Sequence, residues 1–343
     1  MEQLTCTVIG GTGTIGRALI NALPDQWRLR VVSRTGSQLP FRPGLENVVA
    51  DVSDARAIHR VVKGSDVVFL LTTAATEDPD DLALDIVAGA RNVAAACIAH
   101  SVRRVVFASS IAALFLGGKR VITEQDGVDS KPQYRNYYAR YKIAAERLFE
   151  QEHKAKGLPV VIIRPGMVLG VGCSPTHGGF GNWVSDLCCL GFGSGDNPLP
   201  LVLIQDVVQA LVAASTAPAI EGQSFNVAGD VELSAREFIS ILAERSRRRY
   251  RYLPYTTARR WQHIGKWGLK LVNQKYANRF PWKRDLASMA CISSLNCSAA
   301  KRALNWTPNR NLDHFLAEAV DSHLPVISSL DLRLRYRLAA EGS

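Results

Sequence analysis

No apolar run in this sequence reaches the roughly 18 residues that a helix needs to cross a bilayer. The chain is therefore expected to thread no membrane. Its seven cysteines (Cys6, Cys97, Cys173, Cys188, Cys189, Cys291 and Cys297) form no Cys-x-x-Cys pair and no Cys/His cluster at zinc-ligand spacing. Reduced core thiols are the expectation, and no metal ligands. The opening residues carry no charged segment, apolar stretch and small-residue cleavage site ahead of the strand-like Cys6-Thr7-Val8-Ile9, so a cytoplasmic protein is expected. Internal repeats and low-complexity tracts are missing as well. Acid is absent from one long segment: Arg245 to Arg284 holds thirteen Lys/Arg and no Asp/Glu. Set against a net charge of +10, this leaves the rest of the chain slightly acidic. A local basic surface implies an acidic partner.

What is present is a rhythm. Short β-branched runs alternate with longer segments of helical period through the first two-thirds of the chain, the pattern of βαβ units. The expected strands are Thr5–Ile9, Leu29–Ser33, Asn47–Ala50, Asp66–Leu71, Val105–Ala108 and Val160–Arg164. Helices are expected over Ile15–Ala22, Ala55–Lys63, Ala83–His100 and Tyr137–Lys156. Parallel strands need cover on both faces, so the fold class is α/β, a Rossmann-like doubly wound parallel sheet. After Arg164 the regularity gives way to a glycine-rich stretch, Gly166 to Gly195, expected as loop. Beyond it come helices over Asp206–Ser215 and Ala235–Arg245 and a strand at Phe225–Val227. The division expected is an NAD(P)-binding domain over residues 1–165, a smaller C-terminal substrate lobe over 166–330 with the chain crossing between the two, and a tail over 331–343.

The sequence Val8-Ile9-Gly10-Gly11-Thr12-Gly13-Thr14-Ile15-Gly16 places a glycine-rich turn between an apolar strand and a helix. Gly10 permits the tight turn, Gly13 lets the backbone approach a pyrophosphate, and Gly16 allows close helix–strand packing. Thr12, Thr14 and Ile15 complete the turn, and the helix start offers free N–H groups and a positive dipole end. The second strand ends in Ser33-Arg34. Arginine here accommodates a ribose 2′-phosphate, where an acid would bind a free 2′-hydroxyl. NADP is the expected cofactor, with NAD as the alternative if Arg34 is only a solvated residue past a strand end. Asp51, followed by Val52, stands where a carboxylate accepts from an adenine amino group, or where a turn residue precedes Ser53 and Asp54. Leu71, Thr72 and Thr73 sit at the carboxyl edge of the sheet, where such folds bind ligands.

Tyr137-Tyr138-Ala139-Arg140-Tyr141-Lys142 opens a helical segment, so Tyr138 and Lys142, four apart, share a face. A tyrosine works as an acid/base near neutral pH when an adjacent ammonium favours its phenolate. Ser109-Ser110 adds hydroxyls after the strand Val105–Ala108, or else is plain turn chemistry.

In these motifs and their order the chain resembles the extended short-chain dehydrogenases/reductases, the superfamily of nucleotide-sugar epimerases, dehydratases, 3β-hydroxysteroid dehydrogenases and dihydroflavonol reductases. The likeness runs from Thr5 to about Val320. It includes Arg164-Pro165-Gly166, Gln205-Asp206-Val207-Val208, Phe225-Asn226-Val227 and Ala303-Leu304-Asn305-Trp306-Thr307-Pro308. The resemblance implies that Ser110 rather than Ser109 orients the substrate and that Tyr138 is the acid/base. It implies that Lys142 lowers the tyrosine's pKa and holds the nicotinamide ribose, and that Pro165, Gly166 and Val168 meet the nicotinamide. A homodimer packed through the Tyr/Lys helix is implied too. Two departures matter. Ala113-Leu114-Phe115 stands where sugar-nucleotide epimerases often carry Val-Tyr-Gly, and the Thr-Asp-Glu of dehydratases is absent. Dehydration loses its support, and epimerisation some of it.

The basic segment interleaves eight aromatics, Tyr250, Tyr252, Tyr255, Trp261, Trp267, Tyr276, Phe280 and Trp282, with its cations. It reads as a clamp for a substrate diphosphate, as a peripheral contact with an anionic membrane through Trp261, Ile264, Trp267, Leu271 and Val272, or as a solvated helix burying its aromatic stripe. No nucleic-acid module is recognisable. The expectation is hydride transfer at a carbonyl or secondary alcohol of a small molecule. A nucleotide-linked or lipid-linked sugar comes first as substrate and a ketone of the steroid or dihydroflavonol kind second; a non-catalytic dinucleotide-binding or redox-sensing protein is the reading from another class.

Overall fold

The computed structural model describes residues 3–36, 42–72, 87–118, 121–255 and 283–324. Its centre is a sheet of seven parallel strands. Three of them, β1 (Thr5–Ile9), β2 (Arg28–Ser33) and β3 (Leu45–Val49), run outward to one edge. On the other side of β1 lie β4 (Val67–Leu70), β5 (Arg104–Ala108), β7 (Val160–Pro165) and, at the far edge, β12 (Ser224–Val227). The short β6 (Val121–Ile122) lies outside this sheet. Every residue of β4, β5 and β7 is buried, which is why these strands read as unbroken apolar runs rather than as alternation. The strand order reverses between β1 and β4, and that is where open α/β sheets bind ligands.

The helices α1 (Thr14–Ala22), α2 (Ala55–Val62), α3 (Ala88–Ala99), α4 (Tyr137–Lys156), α5 (Ile204–Thr216) and α6 (Ala235–Ser246) have local causes. Asp54 caps α2 by accepting from the Ala57 N–H at 3.0 Å. Asn136 caps α4 through Ala139 at 2.9 Å, and Gly157, at φ 71°, ends it in the left-handed region. Ser234 and Glu237 form a capping box at the start of α6. One core, with Leu19, Phe69 and Leu211, lies on the α1/α5 face of the sheet; another, with Ile58, Val93 and Phe149, lies on the α2/α3/α4 face. A third, around Phe180, Phe238 and Phe315, belongs to the remaining lobe.

The stretch Gly166–Gly195, expected as loop, holds three short strands: β8 (Met167–Leu169), β9 (Gly181–Ser185) and β10 (Cys188–Gly191). β8 pairs with β11 (Leu201–Leu203), and β10 with β13 (Arg251–Leu253). β9 and β10 also pair with each other as a hairpin, but β8 and β10 are completed by distant partners, which local periodicity does not reveal. The same holds for β14 (Ser294–Leu295), which pairs with β6. Beyond the basic segment, helices at Lys283–Met289, Ser298–Ala303 and Leu312–Ala319 complete the described chain. Asp206 ties that end to α5: its carbonyl accepts from the Trp306 indole at 2.8 Å and its carboxylate from the Asn309 N–H at 3.0 Å. Among the described residues no helix is long and apolar enough to cross a membrane, and no three His, Cys, Asp or Glu side chains gather as metal ligands. The seven cysteines are free thiols.

Candidate active site

The glycine turn sits at the carboxyl end of β1. Gly10 has φ 84°, a conformation that side chains resist, and a Cβ there would stand 3.1 Å from Thr72 Cγ2. Gly16 lies against the turn's own backbone: a Cβ would fall 2.5 Å from Gly11 Cα, so the close approach is helix to turn rather than helix to strand. Gly11, which sequence reading passed over although it stands in a glycine doublet, would strike Val31 Cγ1 at 2.6 Å. Gly13 begins α1 without a side-chain cap, and the first turn holds no acidic residue. Its N–H groups are thus left to an anion. Thr12 accepts from Arg17 Nε at 3.0 Å through its carbonyl, and Thr14 is exposed at the helix start.

The serine doublet divides. Ser109 is buried and donates to Glu146, whose carboxylate also takes Arg164 at 2.7–3.2 Å. Ser110 is half-buried, caps a short turn by accepting from the Ala112 N–H at 3.1 Å, and lines the same cavity as Tyr138. Tyr138 is 41% exposed as a residue. Burial around the hydroxyl pushes the phenol above its ordinary value, and the nearby Ser110 hydroxyl pulls against that.

Lys142 is buried behind the tyrosine. Its ammonium donates to Ala108 O at 2.7 Å and more weakly to Thr72 O at 3.4 Å, and stands 5.7 Å from the Tyr138 ring centroid. Lys142, expected to lower the Tyr138 pKa, is not among the groups that shift it. Burial pushes the amine down to about 7, while Glu146, one helical turn on, raises it. When protonated it has three donors, of which two are occupied and one is left for a ligand.

A cavity of about 340 Å³ brings together Ile15, Ser110, Tyr138, Pro165, Gly166 and Val168. Gly166 has no room for a side chain, since a Cβ would lie 2.1 Å from Pro200 O. A larger open depression of about 630 Å³, between α4, β12 and the helix Ser298–Ala303, shares no lining residue with this cluster.

Residues 6–228 match the NAD dependent epimerase/dehydratase family. The chain belongs to that family. It is an NAD(P)-dependent enzyme of the extended short-chain dehydrogenase/reductase type. It is 30% identical to the (4-alkanoyl-5-oxo-2,5-dihydrofuran-3-yl)methyl phosphate reductase of Streptomyces griseus, over 67% of this chain and 70% of that protein. To the 3beta-hydroxysteroid-dehydrogenase/decarboxylase isoform 3 of Arabidopsis thaliana it is 25% identical, over 92% of this chain but 60% of that protein. Among solved structures, the UDP-glucuronic acid 4-epimerase of Bacillus cereus in complex with NAD superposes with a TM-score of 0.70, at 18% identity, over 94% of this chain and 99% of that one. That likeness is one of fold.

A dinucleotide fits the residues present: the uncapped start of α1 and the side-chain-free approach beside Gly13 form a cradle for its pyrophosphate. At the adenosine end Arg34 is exposed and close enough to Asp51 to favour its ionised form. The Ser53 N–H and hydroxyl, both at 2.8 Å from Asp51 Oδ1, are the larger causes of its lowered pKa. One oxygen of Asp51 is thus spent on a turn. Val52 packs on Gly89 of α3, and the Leu71 N–H donates to Ile9 O at 2.9 Å. Thr73, residues 256–282 of the basic segment and the tail 331–343 lie outside the described residues.

Sequence reading missed a buried lock at the start of α4. Arg135 donates to Asp129 Oδ2 at 2.8 Å and Asp285 Oδ1 at 3.0 Å, and Asn136 reaches Asp285 at 3.2 Å. Arg284 holds Asp129 from the other side at 2.6–3.1 Å. Burial opposes the charge on Asp129, but these hydrogen bonds prevail and hold its carboxyl below the usual range. No local pattern links partners about 150 positions apart, whereas Glu146 had a signal, four residues after Lys142 on the same helix.

Proposed function

We propose that the enzyme transfers hydride between NADP(H) and a carbonyl or secondary alcohol of a mostly apolar small molecule. The observation that carries this is the convergence of Tyr138 and Ser110 on the wall of one cavity that Ile15, Pro165 and Val168 also line. When bound, the dinucleotide gives or takes a hydride at its nicotinamide ring. Tyr138, kept protonated by burial, donates its proton to the substrate oxygen in the reductive direction. Ser110 orients that oxygen with its hydroxyl. Lys142, held by the Ala108 and Thr72 carbonyls, keeps one donor for the nicotinamide ribose. Arg34 takes the 2′-phosphate.

Substrate class follows from the walls. Ile111, Ala112, Leu116, Met167 and Met289 give the cavity apolar sides, and Arg135, the cation among its described lining, is engaged by Asp129 and Asp285. This favours the ketone-reductase reading over the nucleotide- or lipid-linked sugar, which rests on the basic segment. Native mass spectrometry of the purified protein tests it. A reductase arrives empty and takes up NADPH, whereas tightly retained NAD contradicts the reading and supports an epimerase.

A further inference from the structure

The cavity has one polar group that the proposed chemistry leaves unused. Its other polar side chains are committed to protein partners: Arg135 to two aspartates, Asn136 to its helix cap and Asp285, Ser109 to Glu146, and Ser288 to the backbone of Leu114 and Leu116. His177 differs. Its Nδ1 accepts the Gly179 N–H at 2.9 Å, which puts the ring proton on Nε2 and leaves the imidazole neutral. Among the described residues Nε2 has no hydrogen-bond partner, and the residue lines the cavity.

The ring is placed by construction. A Cβ at Gly179 would stand 2.7 Å from Met167 Sδ and 2.9 Å from His177 Nδ1, so a larger residue there would displace the methionine or the imidazole. The His177 carbonyl accepts from the Trp183 indole at 3.2 Å. The imidazole meets Phe180 edge-on at 6.3 Å between centroids, and Phe180 stacks on Phe238 at 4.8 Å. A donor fixed this firmly suits an incoming acceptor at little ordering cost. Burial, which pushes the imidazole pKa down, agrees with a neutral ring.

We propose that His177 is a specificity-determining residue whose Nε2–H donates to a second oxygen of the substrate, other than the one held by Tyr138 and Ser110. The substrate class is then an apolar carbonyl compound carrying a further uncharged acceptor such as an ether, hydroxyl or carbonyl oxygen. This rests on the reductase reading of the cavity.

The test is binding to the full chain loaded with NADP⁺, with 4-(4-ethylphenyl)butan-2-one and anisylacetone as probes; the two share a ketone and an aryl body and differ by an ether oxygen in place of a methylene. Wild type should bind anisylacetone roughly fivefold more tightly, the size of one neutral hydrogen bond. His177→Gln, whose amide can still donate, should keep the preference, and His177→Leu should lose it while binding the ethyl analogue as before. Equal affinities in the wild type, binding of neither ketone included, or a preference that survives in the Leu variant, overturn the proposal. So does a nitrogen-15 spectrum at pH 7 showing His177 protonated on Nδ1. The reductase reading fails separately, by turnover that survives Tyr138→Phe.

Discussion

Lys142→Met should change how stability depends on pH, by an amount the burial of this lysine sets. The side chain is 2% exposed and its amine is pushed from 10.5 down to about 7 by burial, with Glu146 opposing. In the unfolded chain the same group titrates near ~10.4. Between those values the unfolded chain holds a proton that the folded one has released. Stability rises with pH wherever the unfolded state binds more protons. The folded protein therefore carries a penalty below pH ~7 that is relieved as the pH climbs toward ~10, by up to about 1.4 kcal/mol per unit. Buried thiols such as Cys97 and Cys291, both pushed up to about 12, act in the opposite sense above their ordinary range. They are common to both proteins and cancel in the difference. Urea unfolding of nucleotide-free wild type and Lys142→Met at several pH values between ~7 and ~9 measures that difference, which should grow in favour of the wild type by about 2 kcal/mol. Parallel stability curves would refute the depressed lysine and the dry pocket behind it.

Arg34→Asp should weaken NADPH by roughly 10- to 100-fold, the worth of a charge-assisted hydrogen bond, and NADH far less. Fluorescence titration reads both, and equal losses would remove Arg34 from the 2′ position. Gly16→Ala forces a Cβ to 2.5 Å from Gly11 Cα; it should cost about 1–3 kcal/mol in thermal unfolding and weaken NADPH as the start of α1 shifts. Asp285→Ala strips Arg135 of one of its two buried carboxylates. A loss of about 3 kcal/mol is expected, at the low end for a broken buried pair because Asp129 remains, and an unchanged melting temperature would deny the lock.

The sheet was legible because its central strands are buried on both faces, so β4, β5 and β7 appear as runs that no other element explains. Helix α4 could be read from end to end because Asn136 and Gly157 are local signals for its caps. The edge strand β3 begins at Leu45, earlier than the expected Asn47, since half-exposed residues blur the pattern. Likewise, the Tyr138/Lys142 spacing and the glycine turn are short-range features. What escaped was long-range: the Arg135–Asp129–Asp285 lock, the bond from Ser109 to Glu146, and the pairings of β8 with β11 and β10 with β13 all depend on partners that folding brings close. Lys142 belongs to both groups. Its position was evident, but its two carbonyl partners come from the ends of separate strands.

The central claim is hydride transfer with Tyr138 as the proton carrier. NADPH deuterated on the transferable face of the nicotinamide, mixed with an accepted ketone, tests it when the alcohol product is weighed by mass spectrometry. Wild type should place one deuterium on the carbinol carbon, while Tyr138→Phe binds NADPH with nearly unchanged affinity and forms labelled alcohol at least ~10²-fold more slowly. Unlabelled product from the wild type, or labelled product from the Phe variant at within tenfold of the parent rate, would contradict the account.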